Sequence, residues 1–235
     1  KFTGPLLPLN LERYRRALVT NGLAGQLHDF VRASARFQLT QYKAEHEAML
    51  RTPDYAGYQL LMLNDFTGQS EALVGILDPF HESKRVVTAA EVREWNAPTV
   101  ILARFAKFVW TSAETFTAKV QVAHFGPTNL SAGLVRWALL TPDGKRMGGG
   151  EIESSGIAAG GLTELGAINC SLKQFQTPTA LVLRVQFANA QNQWNIWVYP
   201  DEVAEPEPTG VYVTRSLNDE ALQRLESGGK VLLLA

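Results

Sequence analysis

Thr115-Phe-Thr-Ala-Lys-Val-Gln-Val-Ala123 alternates polar and apolar side chains through most of its length. A β-strand sends successive side chains to opposite faces, so this alternation predicts a strand with one face in a core and one in water. Three more stretches read the same way: Gly133-Leu-Val-Arg-Trp-Ala-Leu-Leu140, Ala180-Leu-Val-Leu-Arg-Val-Gln-Phe187 and Asn192-Gln-Trp-Asn-Ile-Trp-Val-Tyr199. Turn signals stand between them, at Phe125-Gly-Pro127, Pro142-Asp-Gly144 and Ala188-Asn-Ala190. Four of the five tryptophans, Trp110, Trp137, Trp194 and Trp197, fall in this region. Short strands, frequent turns and buried indoles predict an immunoglobulin-like β-sandwich over residues 105–200, without the inter-sheet disulfide because Cys170 is the lone cysteine. Gly148-Gly-Gly150 reads as a flexible hairpin turn.

Working outward from the sandwich, the first 53 residues read as helical. Asn10 caps Leu11 to Val19, and Asn21-Gly22 stops that helix. A second helix runs from Leu27 to Leu50, ended by Thr52-Pro53-Asp54, because the residue before a proline avoids the helical region. Gly57-Tyr-Gln-Leu-Leu-Met-Leu63 is a near-continuous apolar run, which suits a strand covered on both faces, and Asn64-Asp-Phe-Thr-Gly-Gln-Ser70 is the polar loop after it. Helix, strand and loop in this order have the rhythm of a parallel sheet or barrel, whose active sites lie in the loops at strand C-terminal ends.

On the other side, Asp201-Glu-Val-Ala-Glu-Pro-Glu-Pro208 opens an acidic, proline-rich linker taken to span 201–210. Residues 211–235 then read as strand, helix and strand, with Ser216 or Asn218 as helix cap and Gly228-Gly229 as its stop. Such a βαβ unit needs further parallel strands to bury Val231 to Leu234. It therefore predicts the start of a further α/β domain in a truncated parent, unless the segment packs on another part of the same chain. The absence of an initiator Met at Lys1 points the same way.

Composition bounds the chemistry. With 22 basic and 23 acidic side chains in 235 residues, the chain has no basic excess with which to release phosphate counterions, so a nucleic-acid partner is not expected. No run of apolar residues is long enough for a membrane span. Phosphate-binding, dinucleotide-binding, nucleophile-elbow and zinc-helix motifs are all missing, and His28, His46, His81 and His124 lack metal-ligand spacing. No metal and no cofactor are expected. What remains is carboxylate chemistry, with Asp65 at the end of the apolar run as its best-placed member. Asn64, Asp65 and Gln69 around Phe66 match the needs of a sugar subsite, hydrogen bonds for hydroxyls and a ring face for stacking. Taken alone, Asp65 is read first as an Asx-turn residue capping the loop, ahead of a sugar contact.

Several stretches then carry a specific likeness. Lys1-Phe-Thr-Gly-Pro-Leu6, Arg32-Ala-Ser34, Tyr42-Lys43 with Glu47, Arg51-Thr-Pro53, and above all Ala56-Gly-Tyr-Gln-Leu-Leu-Met-Leu-Asn-Asp-Phe-Thr-Gly-Gln-Ser-Glu-Ala-Leu-Val-Gly-Ile-Leu-Asp78 resemble bacterial glycoside hydrolase family 2 enzymes. The branch is that of sugar-binding-domain and β-galactosidase-like proteins. Phe80, Ser83-Lys84, a helix over Thr88 to Trp95 and Ala97-Pro-Thr-Val100 continue the likeness. It implies a fold that is α/β plus all-β: residues 1–104 as the C-terminal piece of a (β/α)8 barrel, then the sandwich, the linker and the start of the α/β unit. It also implies a retaining β-glycosidase whose two glutamates, acid/base and nucleophile, lie upstream of Lys1. No catalytic residue is therefore assigned within this chain, and Glu45, Glu47 and Glu71 match no catalytic motif.

On the same resemblance Tyr58 to Leu63 is the eighth barrel strand, and Asn64, Asp65, Phe66 and Gln69 are the substrate-binding residues of its loop. Relatives carry Gln before Asp and Pro-Gly-Gln-Gly after it, where this chain has Asn64-Asp65 and Thr67-Gly-Gln-Ser70. A carbohydrate substrate, a periplasmic or cell-envelope location and a homo-oligomer covering exposed barrel surfaces are further implications. Two non-catalytic alternatives accompany the enzyme: a sugar-binding module presenting Trp110, Trp194 or Trp197, and a spacer.

Overall fold

A computed structural model describes residues 9–66, 73–202 and 209–234. The chain divides into two compact units, residues 1–199 and 200–235. In the first, helix α1 (Leu9–Thr20) and helix α2 (Leu27–Leu50) precede an irregular stretch, a short helix α3 (Ala89–Arg93) and eight strands. Helix α1 ends where Asn21 donates its side-chain amide to the carbonyl of Ala17, 2.8 Å away, and Gly22 takes φ +69°. Helix α3 is set by a capping box: Thr88 accepts from the Glu91 amide, and Glu91 accepts from the Thr88 amide.

The strands form two sheets. Strands β1 (Thr99–Arg104), β3 (Thr115–His124) and β6 (Gly161–Ser171) pair in the order β1-β3-β6. Strands β2 (Val109–Thr111), β4 (Gly133–Leu140), β5 (Arg146–Ser154), β7 (Thr179–Phe187) and β8 (Ala190–Tyr199) pair in the order β2-β8-β7-β4-β5. The chain thus leaves β1 in one sheet and continues as β2, parallel to β8, in the other. This pairing order is compatible with an immunoglobulin-like sandwich. Inward side chains of both sheets share one core, which includes Phe116, Val120, Leu139, Ile168, Leu183 and Ile196, each essentially inaccessible to water. Trp110, Trp137 and Trp194 belong to the same core.

The four alternating stretches are strands, at 115–124, 133–140, 179–187 and 190–199. The sandwich also takes in β1, so it reaches back to Thr99, into the segment assigned above to residues 1–104. Strand β1 is unusual in being buried along both faces, Val100 and Leu102 on one and Ile101 and Ala103 on the other. The Val100 and Leu102 face packs against Leu50 at the end of α2 and against Ala97 and Leu162, whereas Ile101 and Ala103 face the sandwich core.

Two expectations are corrected. Gly148-Gly-Gly150 is no turn but lies within β5, where Gly150 pairs directly with Trp137. A Cβ on Gly150 would stand 2.9 Å from Trp137 Nε1, so the missing side chain is what lets the indole lie across the strand. The second correction concerns residues 57–63, which form no strand. Leu61 is 79% exposed, and Asn64 makes only an isolated bridge to Leu77. An apolar run becomes a covered parallel strand only with parallel neighbours on either side, and among the described residues none is present, nor any other piece of a (β/α)8 barrel.

The second unit contains strand β9 (Val211–Thr214), helix α4 (Asp219–Glu226) and strand β10 (Lys230–Leu233), with β9 and β10 parallel. Of the two cap candidates, Asn218 fills the role, its Oδ1 accepting from the Ala221 amide at 2.9 Å. Within the linker, residues 203–208 lie outside the described residues.

Strand β6 carries an extra residue opposite β3, between the pairs Val120–Gly166 and Gln121–Glu164. Gly166 there has φ +141°, and a Cβ would meet Ile152 Cγ2 at 2.9 Å. Gly166→Ala is expected to lower the unfolding free energy of the first unit by about 1–3 kcal/mol in urea titration. An unchanged midpoint contradicts this.

Candidate functional site

The loop singled out by sequence starts at Asn64. Asp65 is buried, at 5% exposure, and is committed to internal partners: its Oδ1 accepts from the Gly75 amide at 2.9 Å and from Lys84 Nζ at 2.7 Å. Lys84 also donates to the Gly75 carbonyl at 2.8 Å. A buried carboxylate needs such pairing, because leaving it alone in a poorly hydrated place costs several kcal/mol. Asp65 therefore ties the loop to residues 75 and 84, and it does so at longer range than a local Asx-turn. Asn64 donates its amide to the Asp65 carbonyl at 3.1 Å. Phe66 is left 45% exposed beside them. Three of the four predicted contacts are thus placed, with Phe66 the one presented to solvent, and Gln69 lies outside the described residues, as does Glu71.

A second polar centre gave no functional signal in the sequence. Lys43, Glu47 and Arg51 follow one another at four-residue spacing along one side of α2 and into its C-cap. The Glu47 carboxylate is 4% exposed and accepts from four side chains: Lys43 Nζ at 2.7 Å, Arg51 Nη2 at 3.1 Å, Asn192 Nδ2 at 2.9 Å and Trp194 Nε1 at 3.0 Å. Asn192, wholly buried on β8, donates further to the Ile101 carbonyl at 2.7 Å and accepts from Lys43. Arg51 donates to the Ala103 carbonyl at 3.0 Å. Lys43 Nζ also sits 4.8 Å from the centre of a Trp194 ring.

This arrangement is structural chemistry. Strand β1 pairs with β3 on one side only, so the carbonyls of Ile101 and Ala103 face its free edge. Asn192 and Arg51 satisfy both, and Glu47 holds those two donors in place. Burial pushes Lys43 below its ordinary value, with Glu47 opposing that trend. The i, i+4, i+8 spacing of Lys43, Glu47 and Arg51 is the signal in sequence that could have pointed to this centre; the partners on β8 are about 145 residues away.

A cleft of about 580 Å³ opens between α3, the loop after β3 and the β7–β8 turn, with Arg93, Glu94, His124 and Gln191 in its walls. Burial raises the Glu94 carboxyl above its ordinary value, against a hydrogen bond from Gln191. His124 is held on both ring nitrogens, by Thr99 Oγ1 at 2.8 Å and the Thr128 carbonyl at 2.7 Å, and is 2% exposed, so its ring is fixed in place. Among the described residues no group of His, Cys, Asp and Glu is arranged to hold a metal ion. No described helix is long and apolar enough to cross a membrane. Of the sandwich tryptophans proposed as sugar platforms, Trp110 and Trp194 are at most 7% exposed and only Trp197, at 40%, offers a ring to solvent.

A family model described as a domain of unknown function (DUF8488) matches residues 114–200, from just ahead of β3 to the end of β8. No curated protein matches the chain. Among solved structures, a β-glucosidase from Listeria innocua in complex with glucose aligns at 8% identity and TM-score 0.33, over 43% of this chain and 16% of that one. A Salmonella alpha-2-macroglobulin reacted with methylamine aligns at 17% identity and TM-score 0.35, over 47% of this chain and 7% of that one. The CARDB domain of the PF1109 protein from Pyrococcus furiosus aligns at 12% identity and TM-score 0.31, over 44% of this chain and 92% of that one.

Removing Glu47 leaves two cations and an indole N–H without their acceptor. Glu47→Ala is expected to cost about 3–5 kcal/mol in chemical denaturation. Exposed Glu45→Ala on the same helix should stay within about 0.5 kcal/mol; equal effects contradict the assignment. For Lys43 the sign follows from its lowered folded value. The unfolded chain holds the proton more tightly, so stability contributed by this group rises as pH climbs from the folded value toward the ordinary 10.5. The stability difference between the native protein and Lys43→Met should therefore move in favour of the native protein across that range. A flat difference tells against it.

Proposed function

We propose that this chain is the C-terminal part of a retaining β-glycosidase similar to glycoside hydrolase family 2, acting on oligosaccharides or polysaccharides. Its catalytic glutamates are supplied by sequence upstream of Lys1. The observation that carries this reading is the wording of Ala56 to Asp78, continued through Ser83-Lys84 to Val100. The geometry of the same stretch supports it. Asp65 and Lys84, both inside the stretch, hold each other at 2.7 Å, and Phe66 is left open to solvent at the place where a sugar ring would stack. Asn64 and Phe66 are the contacts offered to sugar, while Asp65 positions them.

In this reading residues 99–199 are a scaffold. Glu47 joins α2 to β1 and β8, so the sandwich holds the helix that leads into the sugar loop. A spacer role for the sandwich is favoured over sugar binding by it, because Trp110 and Trp194 are spent on the core. A carbohydrate substrate, a periplasmic or cell-envelope location and a homo-oligomer accompany the proposal through the family resemblance.

The protein isolated from its natural source is expected to exceed 25.9 kDa by intact mass and to hydrolyse at least one nitrophenyl β-glycoside with retention. A natural product of 25.9 kDa, or one inert on galactosides, glucosides, mannosides and glucuronides, overturns the reading.

A further inference from the structure

Beyond the end of α2 the chain doubles back through residues 52–58 toward Trp95 and Phe125, and a cleft of about 240 Å³ lies between them. Four aromatic residues, Tyr55, Tyr58, Trp95 and Phe125, are among those that line it. Trp95 is 4% exposed, whereas Tyr55, Tyr58 and Phe125 are exposed by 49%, 40% and 56%. Thr52 and Asn96 add polar groups, and Asn96 Oδ1 accepts from the Tyr58 hydroxyl at 2.5 Å. No lining residue is charged.

Against two of these rings lies His46, which is 3% exposed. Its ring centre is 4.2 Å from that of Tyr58 and 4.8 Å from that of Trp95, edge to face in both cases. His46 Nδ1 is 2.7 Å from the Tyr42 carbonyl, which can only accept, so Nδ1 carries a proton. His46 Nε2 is buried and has no hydrogen-bond partner. Buried polar atoms of this kind are rare in folded proteins.

We propose that this aromatic cleft binds a single neutral pyranose ring. The absence of charge from its wall disfavours phosphates, carboxylates and ammonium groups, which need a counter-charge when desolvated. Exposed ring faces suit the C–H face of a sugar, and the Thr52, Tyr58 and Asn96 side chains suit its hydroxyl edge. At about 240 Å³ the cleft lies near the small end of ligand pockets, the scale of a single ring. The cleft belongs to the Tyr58 end of residues 58–63, while Asn64 to Phe66 lie at the other end, so it is a site additional to the sugar loop and needs no upstream residue.

Isothermal titration of this chain with methyl β-galactoside, methyl β-glucoside, methyl β-mannoside and methyl β-xyloside tests it, with cyclohexanol as a ring lacking the hydroxyl pattern. At least one glycoside should saturate with a Kd on the order of millimolar, as one ring against an open cleft allows. Tyr55→Ala and Phe125→Ala should each weaken that binding tenfold or more. Both positions are exposed, so their thermal midpoints should match the parent chain. Trp197→Ala, on the sandwich, should leave binding unchanged. The proposal is overturned by no saturable heat from any glycoside, by cyclohexanol binding as tightly, or by loss of binding in Trp197→Ala alone. Hydrolysis by the natural protein is measured separately, so failure here leaves the glycosidase reading standing.

Discussion

One carboxylate ties the helical part of the first unit to its sandwich across about 145 residues of sequence. Glu47 lies 4% exposed at the end of α2 and accepts from Lys43, Arg51, Asn192 and Trp194. A buried charge is tolerated only when its lone pairs are filled, and here they are filled from both the helix and β8. The consequence reaches the backbone of a third element. Because Asn192 and Arg51 also donate to Ile101 and Ala103, the free edge of β1 is closed without another strand. Helix, edge strand and opposite sheet thus depend on the same few hydrogen bonds.

The loop at Asn64 uses the same principle on a smaller scale. Asp65 is buried and its charge is met by Lys84 and by the Gly75 amide. Between the two nodes runs a stretch with little regular structure, residues 52–63, whose aromatic members instead line a cleft beside Trp95. The candidate site positions are loops tied down by buried ion pairs, and the sandwich supplies the body to which they are tied.

Much of the regular structure was legible. Helix α2 runs from Leu27 to Leu50 as its boundary signals predict, because the stop at Thr52-Pro53 acts through local sterics. The alternating strands were equally legible, since their burial follows from period alone; β3 shows alternate buried and exposed positions from Thr115 to Val120. Where the signal was ambiguous the outcome turned on neighbours. Gly148-Gly-Gly150 has turn composition, yet pairing with β4 makes it strand, because Trp137 needs the space that a side chain at Gly150 would fill. The apolar run 57–63 has strand composition, yet no described strand lies beside it to complete one.

The candidate site divides along the same line. Phe66 could be named from sequence, since an aromatic among short polar residues is visible in a single window. The duty of Asp65 could not, because its partner Lys84 is 19 residues on and identical lysines stand elsewhere. Glu47 was named as part of the family likeness and assigned no catalytic role; its structural role needed Asn192 and Trp194, whose approach is a property of the folded sandwich. By itself, then, the sequence determined what depends on local geometry and composition: helix limits, strand alternation, the Asn218 cap, and a nearly balanced overall charge. Tertiary structure alone decided which charges are buried together, which sheet edge is closed and which aromatic rings stay open, because desolvation and pairing depend on what else occupies the same space.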